Sequence, residues 1–289
     1  MKKLPLLILL GASLVVNRVH AQDFNFTTGS PDGRMATASR TDLGGALEIE
    51  SADDFIVPIQ GVHLTNATFT GLIPTGASSN DITQLQIEIY RVFPNDSDVS
   101  RTSGPLTTPP FSTAQVPTRV NSPSDFAFDS KDVLSGGLSF TPTVLNSSFN
   151  AANSILNGII PKPNQATGGE GPVTGQEVQF NVSFTTPFNL PAGHYFFVPQ
   201  VNLSSGDFFW LSAPGPALFT GDLQAWIRNG NLDPDWLRQG TDIVGGVTAP
   251  KFNESFSLNG ILPDSGSTLF LFGCATGTLV YLKRRFHAI

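Results

Sequence analysis

The side chains able to do chemistry are mostly acidic, and they come in close pairs. Glu48 and Glu50 stand two residues apart in Ala46-Leu47-Glu48-Ile49-Glu50. On a strand that spacing puts both carboxylates on one face. Two carboxyl groups can hydrolyse a glycoside when their separation suits an acid and a nucleophile or base. Neighbours on an outward face are more commonly just solvated. Asp53-Asp54 and Asp96-Ser97-Asp98 offer the hard oxygen ligands that calcium takes. Neither has the spaced acidic loop, glycine and terminal glutamate of an EF-hand, and turn-forming aspartates that cap their own backbone explain them as well. Trp226 and Trp236 lie in or beside loop-like sequence and are candidates for stacking on sugar rings. No Gly-x-Ser-x-Gly elbow and no phosphate-cradling Gly-x-x-x-x-Gly-Lys loop is present. No catalytic residue is assigned, no cofactor is expected beyond calcium as an alternative, and the chain reads as non-enzymatic.

The elements that must carry these residues are strands. Thr83 to Phe93 alternates, with Leu85, Ile87 and Ile89 on one face and Gln84, Gln86, Glu88 and Tyr90 on the other. Val178, Phe180, Val182 and Phe184 alternate in the same way, and turns at Leu190–Gly193 and Ser204–Gly206 separate the strands that follow. The 28 Gly and 22 Pro mark many turns. Residues 22–45 predict an irregular lead-in. Val99 to Lys131, rich in Ser, Thr and Pro, predicts a long covering arm with apolar grips at Phe111, Val116, Phe126 and Phe128. Ser148 to Leu156 is the one helical candidate. Phe252 to Gly260 predicts the closing strand. The fold class is all-β: a single antiparallel β-sandwich, jelly-roll-like, with long loops, spanning residues 46–260.

The two ends read differently. Met1 to Ala21 has Lys2 and Lys3, an apolar stretch from Leu4 to Val16, and Val19-His20-Ala21 before the expected cleavage, the plan of a secretory signal peptide. Residues 261–289 form a tail in three parts. Leu262-Pro263-Asp264-Ser265-Gly266 is followed by an apolar segment, read as a short transmembrane helix over 268–282, and then by Lys283-Arg284-Arg285. The basic cluster keeps the C-terminus cytoplasmic and the rest of the chain on the far side of the membrane.

This tripartite tail resembles bacterial sorting signals of the PEP-CTERM type, in the variant written VPDSG, with Leu262 in place of Val. The resemblance covers about the last thirty residues. It implies recognition by an exosortase-like membrane enzyme that removes the helix and passes the protein to the cell surface. An ordinary C-terminal membrane anchor is the alternative.

Composition narrows what the exported part can do. Without both ends it keeps ten basic and twenty-two acidic residues, a net charge of −12. That excludes nucleic acid as a partner, which needs a basic footprint. The sole cysteine, Cys274, is in the tail, so the domain holds neither disulfide nor thiolate nucleophile. Only His63 and His194 remain in the domain, too few for a zinc site built from His and Cys. The expected role is a structural or adhesive protein of the cell surface or extracellular matrix. Its partners would be the processing enzyme, the membrane through the tail helix, and extracellular polysaccharide. A carbohydrate-binding surface module is the alternative, and a hydrolase with an unrecognised carboxylate site comes third.

Overall fold

The computed structural model describes residues 22–106, 111–160, 166–215 and 221–263. The chain divides into a folded unit, Asp23–Pro263, and a second unit made of residues 1–22 and 264–289. The signal peptide, Asp264, Ser265 and Gly266 of the sorting motif, the tail helix and the basic cluster Lys283, Arg284 and Arg285 lie outside the described residues. Among the described residues no helix is long and apolar enough to cross a membrane.

The folded unit is all-β, with two sheets. Its strands are β1 (Asp23–Thr27), β2 (Ala36–Ala38), β3 (Ile49–Val57), β4 (Val62–Pro74), β5 (Ile82–Arg91), β6 (Asp129–Asp132), β7 (Leu138–Ala151), β8 (Ser154–Ile155), β9 (Val173–Leu190), β10 (Gly193–Leu203), β11 (Phe209–Ala213), β12 (Trp226–Asn229), β13 (Leu237–Arg238), β14 (Asn253–Glu254) and β15 (Phe256–Ile261). The larger sheet runs β1-β15-β4-β11-β2-β8, with β9 also on β4, β7 on β9, and β14 on β11. The smaller runs β13-β12-β3-β10-β5-β6. All pairs are antiparallel except β2 with β8, which is parallel.

The alternation read in the sequence becomes the two faces of each strand. Phe180 and Val182 of β9 turn inward with Phe69 of β4, and Phe55, Phe197 and Ile89 meet them from the smaller sheet in the main core. Aromatic rings fill that layer: Phe69 stacks on Phe180 with centroids 4.7 Å apart, and Phe197 on Phe256 at 5.2 Å. Trp210 is fully buried there and donates its indole N–H to the Ser255 carbonyl at 3.0 Å. Gly71 makes room for this packing. A β-carbon at that position would lie 2.1 Å from the Phe208 ring.

Three expectations change. The lead-in of residues 22–45 is not irregular throughout. It supplies β1 and β2, because Phe24 and the run Met35-Ala36 bury against the core. Ser148 to Leu156 is not helical. Its apolar spacing belongs to the bulged end of β7, which pairs with β9, and to β8. The domain also reaches past residue 260, since Leu262 packs into the main core.

A further apolar layer covers the opposite face of the smaller sheet. Tyr90, Phe196, Val198 and Ala52 meet Trp226 and Trp236 there. The arm between β5 and β6 and the segment after β12 close over this layer. Trp236 donates to the Ser124 carbonyl at 3.1 Å. Arg101 bridges Asp125 at 3.2 Å and Asp235 at 3.1 Å, and the buried Arg119 pairs with Asp125. The arm expected from the proline-rich sequence is therefore clamped by internal ion pairs as well as by apolar grips at Phe111, Val116 and Phe128, whereas Phe126, read as a fourth grip, is 63% exposed.

Candidate functional site

Two regions gather polar side chains: a carboxylate cluster beneath the arm, and an open face of the larger sheet.

Glu50 of β3 and Arg228 of β12 are directly opposite in the ladder and form a buried ion pair. Tyr90 of β5 lies beside them. Its hydroxyl is 2.8 Å from Glu50 Oε1 and 2.8 Å from Glu88 Oε2, and it accepts from Arg228 Nη2 at 2.9 Å. A tyrosine hydroxyl has one hydrogen to give. It serves one carboxylate, so the other contact needs a proton on a carboxyl group. Glu88 is that group: burial, and then the neighbouring Glu50 charge, push its pKa up to about 8. Burial is the largest single influence on Arg228 and works against its charge, but Glu50, Tyr90 and Asp233 together outweigh it and hold the guanidinium above its usual pKa. Glu48, read as the partner of Glu50, is half-buried, accepts from Gln200 at 2.9 Å, and has its pKa raised by burial and by Glu50. The acid joined to Glu50 through the Tyr90 hydroxyl is thus Glu88 from another strand, a pairing that sequence spacing does not reveal. The cluster lies outside both principal concavities. One is a groove of about 190 Å³ on the larger sheet, and the other is a depression of about 300 Å³ lined by Pro117, Asp242 and Gly246.

The calcium candidates do not converge. Asp53 turns toward the core side, where Oδ2 accepts from the Glu254 N–H at 2.8 Å and Oδ1 has no hydrogen-bond partner. Burial, then Asp54, raises its pKa well above the carboxylate range. Asp54 turns to the opposite face, accepts from the Leu223 N–H at 2.9 Å and contacts His194. Asp96 grips Arg91 with both oxygens. Asp98 caps a short helical turn, accepting from the Ser100 N–H at 2.9 Å and its hydroxyl at 2.6 Å, and these bonds lower its pKa. Among the described residues no group of three or more His, Cys, Asp or Glu side chains is arranged to hold a metal.

Trp226 and Trp236 are core residues rather than sugar platforms. They are 0% and 1% exposed. Trp226 donates to the Leu223 carbonyl at 3.1 Å beneath the Arg238 guanidinium, and Arg228 covers the Trp236 ring at 4.4 Å. Trp226 belongs to β12 of the smaller sheet, and Trp236 to the segment after it that folds back over the same face. Of the sorting motif, Leu262 is buried and Pro263 half-buried.

The open face belongs to β1, β15, β4, β9 and β7. Thr27, Ser257, Thr68, Asn181 and Thr141 stand in one row across these five strands, each paired with the next. A second row is Asn25, Asn259, Asn66, Ser183 and Ser139. Every member of both rows is exposed or half-buried, and none is charged or apolar. The hydroxyls link across strands: Thr68 donates to Ser257 at 3.1 Å, and Ser257 to Thr27 at 3.4 Å. Asn66 donates to Ser183 at 2.9 Å. The groove lies on this face and is lined by Thr27, Thr68, Thr70, Gln179 and Ser257 among others. The pairs Asn25/Thr27, Asn66/Thr68, Asn181/Ser183 and Ser257/Asn259 each have the two-residue spacing of an outward strand face, so the rows have a signal in the sequence itself.

Comparison with protein-family models, with curated proteins and with solved structures finds no match.

Proposed function

We propose that the chain is an exported, non-enzymatic protein of the cell surface or extracellular matrix, structural or adhesive in role, and delivered by an exosortase-like enzyme acting on its C-terminal tail. The folded unit, with its jelly-roll-like sandwich, is the working part, and the tail is its address. The observation that carries this reading is the pairing of Asp23 with Ile261 at the ends of β1 and β15. The chain enters and leaves the sandwich through hydrogen-bonded neighbours. The residues that flank a signal peptide and a sorting tail therefore share one end of one sheet, as suits a module presented from its termini. The acids that suggested hydrolysis are engaged with Arg228, Tyr90 and Gln200, which favours a structural role for them.

Intact mass of the protein from its native host, taken separately from membrane and medium, tests the reading. A species beginning near Gln22 and ending between Pro263 and Gly266 is expected. A full-length C-terminus retained in the membrane would replace it with a plain anchored ectodomain.

A further inference from the structure

The two polar rows stand out against the rest of the molecule. The chain carries a formal charge of −7, yet ten consecutive ladder positions on one face are Ser, Thr or Asn. Strand spacing of about 4.8 Å makes each row about 19 Å wide, and the rows lie about 7 Å apart along the strands. Beyond them Thr70, Gln179 and Thr143 extend the lattice over three strands. The margins differ: Asp23, the exposed Ile261 and His63 stand at one end, and at the other Glu177 and the exposed Leu145 also line the groove.

Each of these side chains can both donate and accept a hydrogen bond, and most keep free capacity after their bonds to one another. The chemistry of the face selects its partner. Without basic residues it cannot neutralise phosphates or uronates. Without an apolar centre it lacks what the buried middle of a protein–protein interface requires. What remains is an uncharged, extended molecule rich in hydroxyl groups.

We propose that this face, formed by β1, β15, β4, β9 and β7, is the docking surface for a neutral polysaccharide chain, held by repeated hydroxyl and amide hydrogen bonds rather than by aromatic stacking. The inference rests on the adhesive reading above and names the surface and polymer class it would use. Single hydrogen bonds of this kind contribute little net free energy. A polymer engaging several rows, and several copies of the protein, turns weak contacts into retention. The groove beside Thr27 and Ser257 gives the chain one bounded track on an otherwise open face.

Affinity electrophoresis of the full chain through gels containing dextran, galactomannan or hydroxyethyl cellulose tests this, with alginate as the anionic control. Retardation by at least one neutral polymer and none by alginate is expected. Asn181→Asp with Thr141→Glu adds two charges at exposed positions of one row and should weaken retardation roughly tenfold or more, equivalent to about 1.4 kcal/mol. Ile59→Glu, an exposed change outside these strands, should leave it unaltered. Circular dichroism of each variant confirms folding. No retardation by any neutral polymer, equal retardation of wild type and the double variant, or concentration-dependent self-association abolished by the same two changes would each overturn the assignment. Such a failure alongside correctly processed protein would leave the export reading intact, whereas an unprocessed C-terminus would remove that reading without touching this one.

Discussion

Arg228 and Glu50 face each other across β12 and β3 with both side chains buried, beside Tyr90 and Glu88, and Arg228 also bridges the exposed Asp233 at 2.8 Å. The Arg228 guanidinium touches Glu50 and Tyr90, lies over the Trp236 ring at 4.4 Å, and donates to the Asp125 carbonyl of the arm at 3.2 Å. One side chain thus ties sheet, arm and covering loop together.

Removing it leaves a buried carboxylate without its counter-charge, which costs about 3–5 kcal/mol in such settings. Arg228→Leu should lower unfolding stability in urea by that order. Glu50→Gln combined with Arg228→Met should lose clearly less than the sum of the two single changes, because neither charge is then stranded. Additive losses would mean that the pair is not the link described.

The raised pKa values of Glu88 and Glu254 set a pH dependence with a definite sign. Burial is the main cause for both, and both reach about 8 from an ordinary value of 4.5. Between those pH values the folded protein holds protons that the unfolded chain releases. Stability from these groups is complete below about pH 4.5 and falls as pH rises toward 8, by at most about 1.4 kcal/mol per pH unit for each group. Urea midpoints measured from pH 5 to pH 8 should fall, and Glu88→Gln should flatten the slope. A profile rising over that range, or one unchanged in Glu88→Gln, would contradict a proton held on Glu88.

The arm depends on its ion pairs. Asp235 accepts from Arg101 at 3.1 Å and from the Thr113 hydroxyl at 3.0 Å while almost wholly buried. Asp235→Ala should free the arm by local opening before the sandwich unfolds. Limited trypsin digestion should then cut at Arg101 or Arg119, sites protected in the wild type, while the remaining strands stay intact. Equal protection in the variant would show that apolar contacts alone hold the arm.

Period-two alternation was enough to reveal the all-β class and most of the long strands, because side chains on a strand point to opposite faces whatever the strand pairs with. It also set Glu88 and Tyr90 on the face of β5 opposite Ile87 and Ile89, but it could not show that the arm covers that face and leaves Glu50 and Tyr90 buried rather than solvated. Pairing is a different matter. Ser148 to Leu156 has apolar spacing that fits a helix, and only its ladder with β9 and β2 makes it strand. Trp226 opens β12 and Trp236 sits in sequence that reads as loop, and only the packing of these segments against Tyr90, Phe196 and Val198 buries both.

The sequence by itself determined the local periodicity, the absence of cysteine from the folded unit and its acidic balance. These are properties of composition and of near neighbours. The tertiary structure decided which residues meet. Glu50 and Arg228 are 178 residues apart in the chain, and Thr27 and Ser257 are 230 apart. Strand register brings each pair together, and register is set by which apolar faces bury against one another across the whole sandwich. The Glu50–Tyr90–Glu88 cluster beneath the arm and the uncharged rows on the open face arise from that long-range choice.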